Sequence, residues 1–407
     1  MTSTTYRPET AAQTAEAVRW ALSANEPLEI VGGGSKRGFG RPVQAGHTLD
    51  LSALNGVVAY EPEELVLTAQ AGTPMAKILP MLAEHRQQLA FEPPDYGPLL
   101  GGPAGTGTLG GLLACGLAGP RRVKDGSARD HTLGIQGVNG RGELYRGGGK
   151  VVKNVTGYDV PKLMTGSFGT LTALTEATVK VLPAPEDTRT ILLSGRDETA
   201  AVAALTRAMQ SPYEVSGAAH LPGGIAARSS VRSVAGLGGA VTLVRLEGFA
   251  PSVAARVAAL KEELGADAVL DREESLAVWR EIRDVAYFST DRARHVWKLS
   301  VPPTEGPRVA ESLRASLDAE LFFDWAGGLL WVAVMPTEGE AVQLCATVRA
   351  AMPSTGHATL LRAPDDVRAA AEPFQPLPEP LLALTRRVKE SFDPRGLLNP
   401  GRMYAGV

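Results

Sequence analysis

Pro27-Leu28-Glu29-Ile30-Val31-Gly32-Gly33-Gly34-Ser35-Lys36 sets three consecutive glycines directly behind a short apolar run. Leu28 to Val31 reads as a buried strand. Glycine has no Cβ and accepts positive φ, so the loop can turn successive backbone N–H groups toward one point. An anion, most often a phosphate pair, fits that concavity, and Ser35 and Lys36 add a hydroxyl and a cation. Taken alone, a glycine-rich turn behind a strand is more often only a turn. Its weight comes from a second run that begins at Phe91.

That run opens with Phe91-Glu92-Pro93-Pro94-Asp95 and continues as Gly105-Thr106-Gly107-Thr108-Leu109-Gly110-Gly111. It goes on through Asp125-Gly126-Ser127-Ala128-Arg129-Asp130-His131 and Lys153-Asn154-Val155-Thr156-Gly157-Tyr158-Asp159. Gly166-Ser167-Phe168-Gly169-Thr170-Leu171 and Thr175-Glu176-Ala177-Thr178-Val179-Lys180 close it. The ordered blocks resemble the FAD-binding domain of the vanillyl-alcohol oxidase and p-cresol methylhydroxylase (PCMH) superfamily. A competing motif lies inside: Gly105-x-Gly107-x-x-Gly110, with Asp130 twenty residues beyond, satisfies the dinucleotide fingerprint. That fingerprint needs a hydrophobic strand directly before its first glycine. Here Glu92-Pro93-Pro94-Asp95-Tyr96-Gly97-Pro98 precedes it, which is no central strand.

The 407 residues suffice for two or three domains, and a net charge of −3 suggests neither nucleic acid nor an anionic membrane as a general partner. Only Cys115 and Cys345 occur. Two cysteines cannot hold an iron–sulfur cluster alone, and they form no disulfide framework, which fits a cytoplasmic location. No basic-then-apolar leader is visible at the amino end, and no window approaches the ~20 apolar residues of a membrane span.

The pattern along the chain is α+β. Thr10-x-x-Gln13 has the form of a capping box opening a helix to about Asn25. Thr73-Pro74 opens another, which Pro80 should kink or delay. Pro183-Ala184-Pro185 is the best domain boundary. Beyond it, strands and helices recur in a way that suits an antiparallel sheet covered on one face by helices. The expected architecture is a PCMH-type FAD-binding domain over about 1–185, with subdomains of about 1–88 and 89–185. An α+β FAD-linked oxidase C-terminal domain then occupies about 186–378. A helix and tail over about 379–407 return to the FAD domain, as in the family this ending resembles.

The resemblance implies a set of FAD contacts. Gly32, Gly33, Gly34, Ser35 and Lys36 would hold the pyrophosphate. Pro94, Asp95, Thr108, Gly110 and Gly111 would approach the flavin ring and pyrophosphate. Ser127, Arg129 and Asp130 match the next contact block, although a solvated polar loop is the plain alternative. Gly157, Tyr158 and Leu174 complete the set. No histidine lies between Ile30 and Gly40, so the covalent flavin link of some relatives is absent and FAD should be dissociable. Cys115 sits in Leu112-Leu113-Ala114-Cys115-Gly116-Leu117 and reads as a small buried residue.

Gly119-Pro120-Arg121-Arg122, Asn154 to Asp159, Trp297-Lys298-Leu299-Ser300-Val301-Pro302, Asp324-Trp325 and Gly356-His357-Ala358-Thr359 extend the likeness over nearly the whole chain. They resemble the family of FAD-binding E subunits of bacterial glycolate oxidases. That family implies a larger FAD-binding subunit and an iron–sulfur subunit as partners, with any membrane association coming through them. It implies oxidation of glycolate, or a related 2-hydroxy acid, to the 2-oxo acid. Related 2-hydroxy-acid dehydrogenases carry a Glu-His-Gly block whose histidine takes the hydroxyl proton, and an upstream pair of metal-binding histidines. Here Gly356 replaces the glutamate and the histidine pair is missing, so no metal is expected; His357 is the single candidate base, with a structural place at the flavin-domain interface as the alternative the lost partners favour. Two other readings remain open: a non-catalytic flavin-holding scaffold or electron relay, and a stand-alone FAD-dependent dehydrogenase of another alcohol or sugar acid.

Overall fold

The structure is a computed structural model, describing residues 4–149, 157–337 and 339–407. The block Lys153-Asn154-Val155-Thr156 falls outside the described residues. The chain divides into two compact units. Unit 1 comprises residues 1–118, 126–183 and 376–407; unit 2 comprises 119–125 and 184–375. The prolines at 183 and 185 thus flank one crossing point, but the excursion of 119–125 has no counterpart in the sequence pattern.

In unit 1, the parallel strands β1 (Thr4–Tyr6), β2 (Leu28–Val31) and β3 (His47–Asp50) form a sheet in the order β1-β3-β2. Helix α1 (Ala11–Ala24) precedes β2 and buries Ala15, Val18 and Ala21 with Leu28 and Leu49. Thr10 caps it by accepting from Gln13 N–H, but the Gln13 side chain accepts from Glu9 N–H rather than closing the box on Thr10. Strands β4 (Val57–Glu61), β5 (Val66–Gln70), β7 (Thr132–Val138), β8 (Leu144–Gly148) and β9 (Ala173–Lys180) build an antiparallel sheet in the order β4-β5-β9-β7-β8. A two-residue pairing joins β6 (Gln87–Gln88) to β10 (Leu182–Pro183). Helix α2 (Met75–Glu84) runs through Pro80 and keeps its start at Met75. A proline five residues into the helix removes only the bond to Ala76 O, and buried Ile78 and Leu82 hold the rest.

Unit 2 is organised by eight antiparallel strands: β11 (Asp187–Ser194), β12 (Val215–Leu221), β13 (Val241–Gly248), β14 (Ala268–Leu270), β15 (His295–Ser300), β16 (Ala319–Asp324), β17 (Leu329–Val334) and β18 (His357–Arg362). Their order is β14-β11-β13-β12-β16-β17-β15-β18. Helices Glu198–Gln210 and Ala250–Leu264 cover Ile191, Leu193, Val244 and Leu246. Helices Gly306–Ser316 and Ala341–Ala350 cover Trp297, Leu299, Leu330 and Val332.

One-sided coverage is not complete. Residues alternate across a strand, so Thr190 and Arg245 point to the opposite face from Ile191 and Val244. Helix Arg272–Arg283 lies there: Trp279 Nε1 donates to Thr190 Oγ1 at 2.9 Å, and the Arg245 guanidinium sits 4.6 Å from the Trp279 ring. The buried polar residues of this face give the helix its partners, and their alternation with apolar ones hid the second layer. Among the described residues, no helix is long and apolar enough to cross a membrane.

Candidate cofactor site

Strand β2 runs into the glycine loop, and the loop meets the turn before helix α3 (Leu109–Ala114). A Cβ at Gly33 would stand 1.8 Å from Thr106 O, and one at Gly32 would stand 2.5 Å from Thr108 Oγ1. Gly34 has φ +71°, a left-handed conformation that disfavours a side chain. The glycines are therefore demanded by the approach of a second loop as much as by any ligand. Thr108 caps α3, its Oγ1 accepting from Gly111 N–H at 3.3 Å, and Gly110 N–H donates to Ala71 O at 2.7 Å. A Cβ at Gly110 would lie 2.7 Å from the Ala71 methyl. No hydrogen bond among the described residues engages the N–H groups of Gly33, Gly34 or Ser35.

The two loops line a cleft that opens to solvent. Of the residues singled out from sequence, Gly32, Gly33, Gly34, Ser35, Lys36, Thr108, Gly110, Gly111 and Leu174 line it. Lys36 Nζ donates to Ser35 Oγ at 3.0 Å, and burial pulls the Lys36 ammonium below its ordinary pKa, opposed by Cys115 and Asp95. The other expected contacts stand outside the lining. Pro94 is buried, and the Asp95 carboxylate accepts from Gly97 N–H at 3.1 Å and Gly105 N–H at 2.7 Å, which ties the ends of the loop before α3 together. Ser127 and Asp130 form a capping box, with Ser127 N–H and Oγ each 2.8 Å from Asp130 Oδ2, and Arg129 is exposed. Gly157 is exposed and Tyr158 is 96% exposed.

Sequence reasoning missed part of the wall. Cys115, expected to be buried packing, is only partly buried and lines the cleft; burial still raises its thiol pKa, with Lys36 and Arg402 opposing. Phe168, Gly169, Thr172, Asn399 and Arg402 also line it. Asn399 Oδ1 accepts from Ile30 N–H and its Nδ2 donates to Phe168 O, both at 2.7 Å. Arg402 Nη2 donates to Lys36 O at 2.8 Å. The signal for these residues was the abrupt helix stop at Asp393-Pro394-Arg395-Gly396, but the partners lie hundreds of positions away.

Unit 2 carries its own cluster of charges. Arg121 Nε and Nη2 each donate to Glu247 at 2.9 Å, and Arg245 Nε lies 3.4 Å from the same carboxylate. All three are buried, and although burial opposes it, the two guanidiniums hold the Glu247 carboxyl far below the usual range. Nearby in sequence, the exposed Arg122 guanidinium lies 4.7 Å and the Lys298 ammonium 4.9 Å from the Trp325 ring. Burial, with Arg122 adding repulsion, brings Lys298 down to about 8. Trp325 and Ala326 have φ of 49° and 57°, a costly conformation for side-chain-bearing residues, fixed by Asp324 Oδ1 accepting from Trp325 N–H and by Trp325 Nε1 donating to Gly119 O. His357 is the exposed first residue of β18, opposite Ser300 of β15.

The unit 1 cleft fits an anionic dinucleotide. It has free N–H groups on a glycine loop, apolar surface from Leu51, Phe168 and Leu174, and three cationic side chains, Lys36, Arg37 and Arg402, of which Arg37 is paired with Glu29. Bound FAD supplies the electron-accepting chemistry; this chain supplies the cradle, the positive charge and the apolar wall.

Comparison with known proteins agrees. A family described as "FAD binding domain" matches residues 3–148, and one described as "FAD linked oxidases, C-terminal domain" matches residues 375–403. The chain is 36% identical to glycolate oxidase subunit GlcE of Escherichia coli over 395 residues, covering 96% of each protein. It is 34% identical to glycolate oxidase subunit GlcD of Bacillus subtilis over 151 residues, 37% of this chain and 30% of that one. The crystal structure of p-cresol methylhydroxylase with substrate bound superposes with a TM-score of 0.71 at 16% identity, covering 98% of this chain and 88% of the other, which establishes a shared fold. With FAD as its cofactor, the chain belongs to the FAD-linked oxidase family.

Proposed function

We propose that the chain is the FAD-binding subunit of a glycolate, or closely related 2-hydroxy acid, oxidase complex. Its partners would be a larger FAD-binding subunit and an iron–sulfur subunit that takes the electrons. The observation that carries this reading is the end-to-end likeness to subunit GlcE, which leaves no sizeable part of either chain unmatched. The partial match to subunit GlcD supports a larger homologous companion. The Arg122–Trp325–Lys298 cluster of unit 2 suits a carboxylate: two cations share one aromatic platform, and Lys298 is poised to gain a counter-charge.

We assign the chemical step to the larger subunit and a supporting role to this chain. His357, the sole candidate base, is an exposed strand end opposite Ser300, and Gly356 stands where related dehydrogenases have a glutamate. The test is anaerobic flavin absorbance of the purified, FAD-loaded chain, before and after glycolate, alone and with both partner subunits. A yellow chain that glycolate bleaches only in the complex supports the proposal. Bleaching of the isolated chain would move the chemistry here and restore His357 as base. No bleaching in any combination would remove glycolate as substrate.

A further inference from the structure

The residues from 389 to 402 make a continuous set of bonds to two of the segments that wall the cleft in unit 1, β2 with its glycine loop and the Phe168 turn. The C-terminal helix Glu379–Phe392 stops at Asp393, whose buried carboxylate accepts from Leu397 N–H at 3.0 Å and Leu398 N–H at 2.8 Å. Lys389 Nζ, also buried, donates to Asp393 at 2.6 Å, to Leu398 O at 2.9 Å and to Thr170 O at 2.6 Å. Leu398 then pairs with Leu28 as an extra parallel neighbour of β2; Leu28 N–H donates to Leu397 O at 2.8 Å and Asn399 N–H to Leu28 O at 3.0 Å. Asn399, at φ 43°, ties β2 to the Phe168 turn. Arg41 N–H donates to Arg402 O at 2.9 Å, and the Arg402 guanidinium reaches Lys36 O while lining the cleft.

We infer that Arg402 is a second cationic contact for the FAD diphosphate, and that docking of the 393–402 turn and binding of FAD are coupled. At neutral pH the diphosphate carries the full negative charge of oxidised FAD, and the flavin ring is neutral. Arg37 and Glu29 also line the cleft but pair with each other, so the two cations left to converge there, Lys36 from the glycine loop and Arg402 from the turn, select the diphosphate as their counter-ion. A guanidinium held at Lys36 O keeps its orientation before the ligand arrives, so little freedom is lost on binding. Because Arg402 belongs to the turn, an anion in the cleft stabilises the turn as well, and an undocked turn weakens the anion site. The inference rests on FAD as the cofactor, not on which alcohol is oxidised.

The test is titration of the full-length apo-protein with FAD and, separately, ADP at two salt concentrations, with thermal melting of each form. Arg402→Gln should weaken both ligands by about tenfold to a hundredfold and flatten the salt dependence. It should also shrink the FAD-induced rise in Tm more than it lowers the apo Tm. Arg402→Lys should recover part of the loss. Unchanged FAD affinity would overturn the inference. So would a fall in apo Tm with the FAD-induced rise intact, which would make Arg402 a brace for the loop. Loss of FAD affinity with ADP unaffected would place the contact at the flavin end and refute the diphosphate assignment. Should Arg402→Gln not fold, hydrogen exchange of the wild-type chain decides: ADP must slow exchange at residues 397–402, and no protection there would refute the coupling.

Discussion

Gly33→Ala separates the two reasons a glycine can be required. An ideal Cβ at Gly33 lies 1.8 Å from Thr106 O, about 1.2 Å inside the 3.0 Å that real Cβ atoms respect. The struck atom is backbone, and its loop is fastened on both sides. Gly105 N–H is held by Asp95 at 2.7 Å, Gly107 O accepts from Met75 N–H at 2.8 Å, and Leu109 N–H donates to Thr73 O at 3.0 Å. The loop cannot give way locally, so the glycine loop must swing away from it, at the ~1–3 kcal/mol typical of overpacking. The same swing spreads the N–H cradle by about an ångström, which should cost FAD about a hundredfold in affinity, as lost charge-assisted hydrogen bonds of ~3 kcal/mol imply. Gly34→Ala is the control. Its Cβ would meet nothing nearer than Arg37 Cδ at 3.9 Å, so only the left-handed backbone is penalised, by ~1–2 kcal/mol, and the cradle keeps its shape. The assay is flavin fluorescence titration of apo-protein with thermal melting in parallel. Gly33→Ala binding FAD like wild type, while Gly34→Ala loses it, would refute the argument that the second loop sets the cradle.

Three further outcomes are expected. Cys115 lines the cleft whereas Cys345 is buried, so a maleimide should modify Cys115 in apo-protein slowly, because burial raises its pKa, and FAD should block the reaction; peptide mass spectrometry checks both. Lys389→Met leaves the Asp393 carboxylate buried without its cation and should destabilise the protein by ~3–5 kcal/mol, read as a lower denaturation midpoint and weaker FAD binding. Burial holds His220 at about 4, below its ordinary 6.5, with the Glu198 carboxylate opposing. The unfolded chain therefore binds more protons between those values. Stability is full above pH 6.5 and falls by about 3 kcal/mol as pH drops to 4, a slope that His220→Gln should remove in acid-unfolding curves.

The local features were the legible ones. Thr10 as a cap, Leu28 to Val31 as a strand and Thr73-Pro74 opening a helix all follow from residues within a few positions of one another. The rejection of a Rossmann reading was equally local, because Pro93 and Pro94 rule out a strand, and no described strand falls between Gln88 and Thr132. What escaped was set by distance. Nothing around Arg402 announces that its side chain reaches Lys36, or around Asn399 that it bonds Ile30 across 369 positions. Cys115 was misjudged because the apolar Leu112 and Leu113 do turn inward, while the next turn of chain faces the cleft. The strained Trp325 and Ala326 gave no warning, since neither residue type favours positive φ.

The path of the chain between the units has a consequence for how the protein is made. Unit 1 takes in residues 1–118, yields 119–125 to unit 2, resumes at 126–183 and is finished by 376–407. Strand β2 obtains its Leu398 neighbour, and the Lys36 carbonyl its Arg402 donor, only after unit 2 has been synthesised. During translation the early strands must wait, with one edge open, through the production of nearly two hundred intervening residues. Unit 2, whose sheet is contained within 187–362, can assemble in that interval. Closing unit 1 is therefore a late, long-range event with a large loop entropy to overcome. Until that event is over the cleft lacks the part of its wall that Asn399 and Arg402 supply, so the nascent chain should hold FAD less tightly than the finished protein.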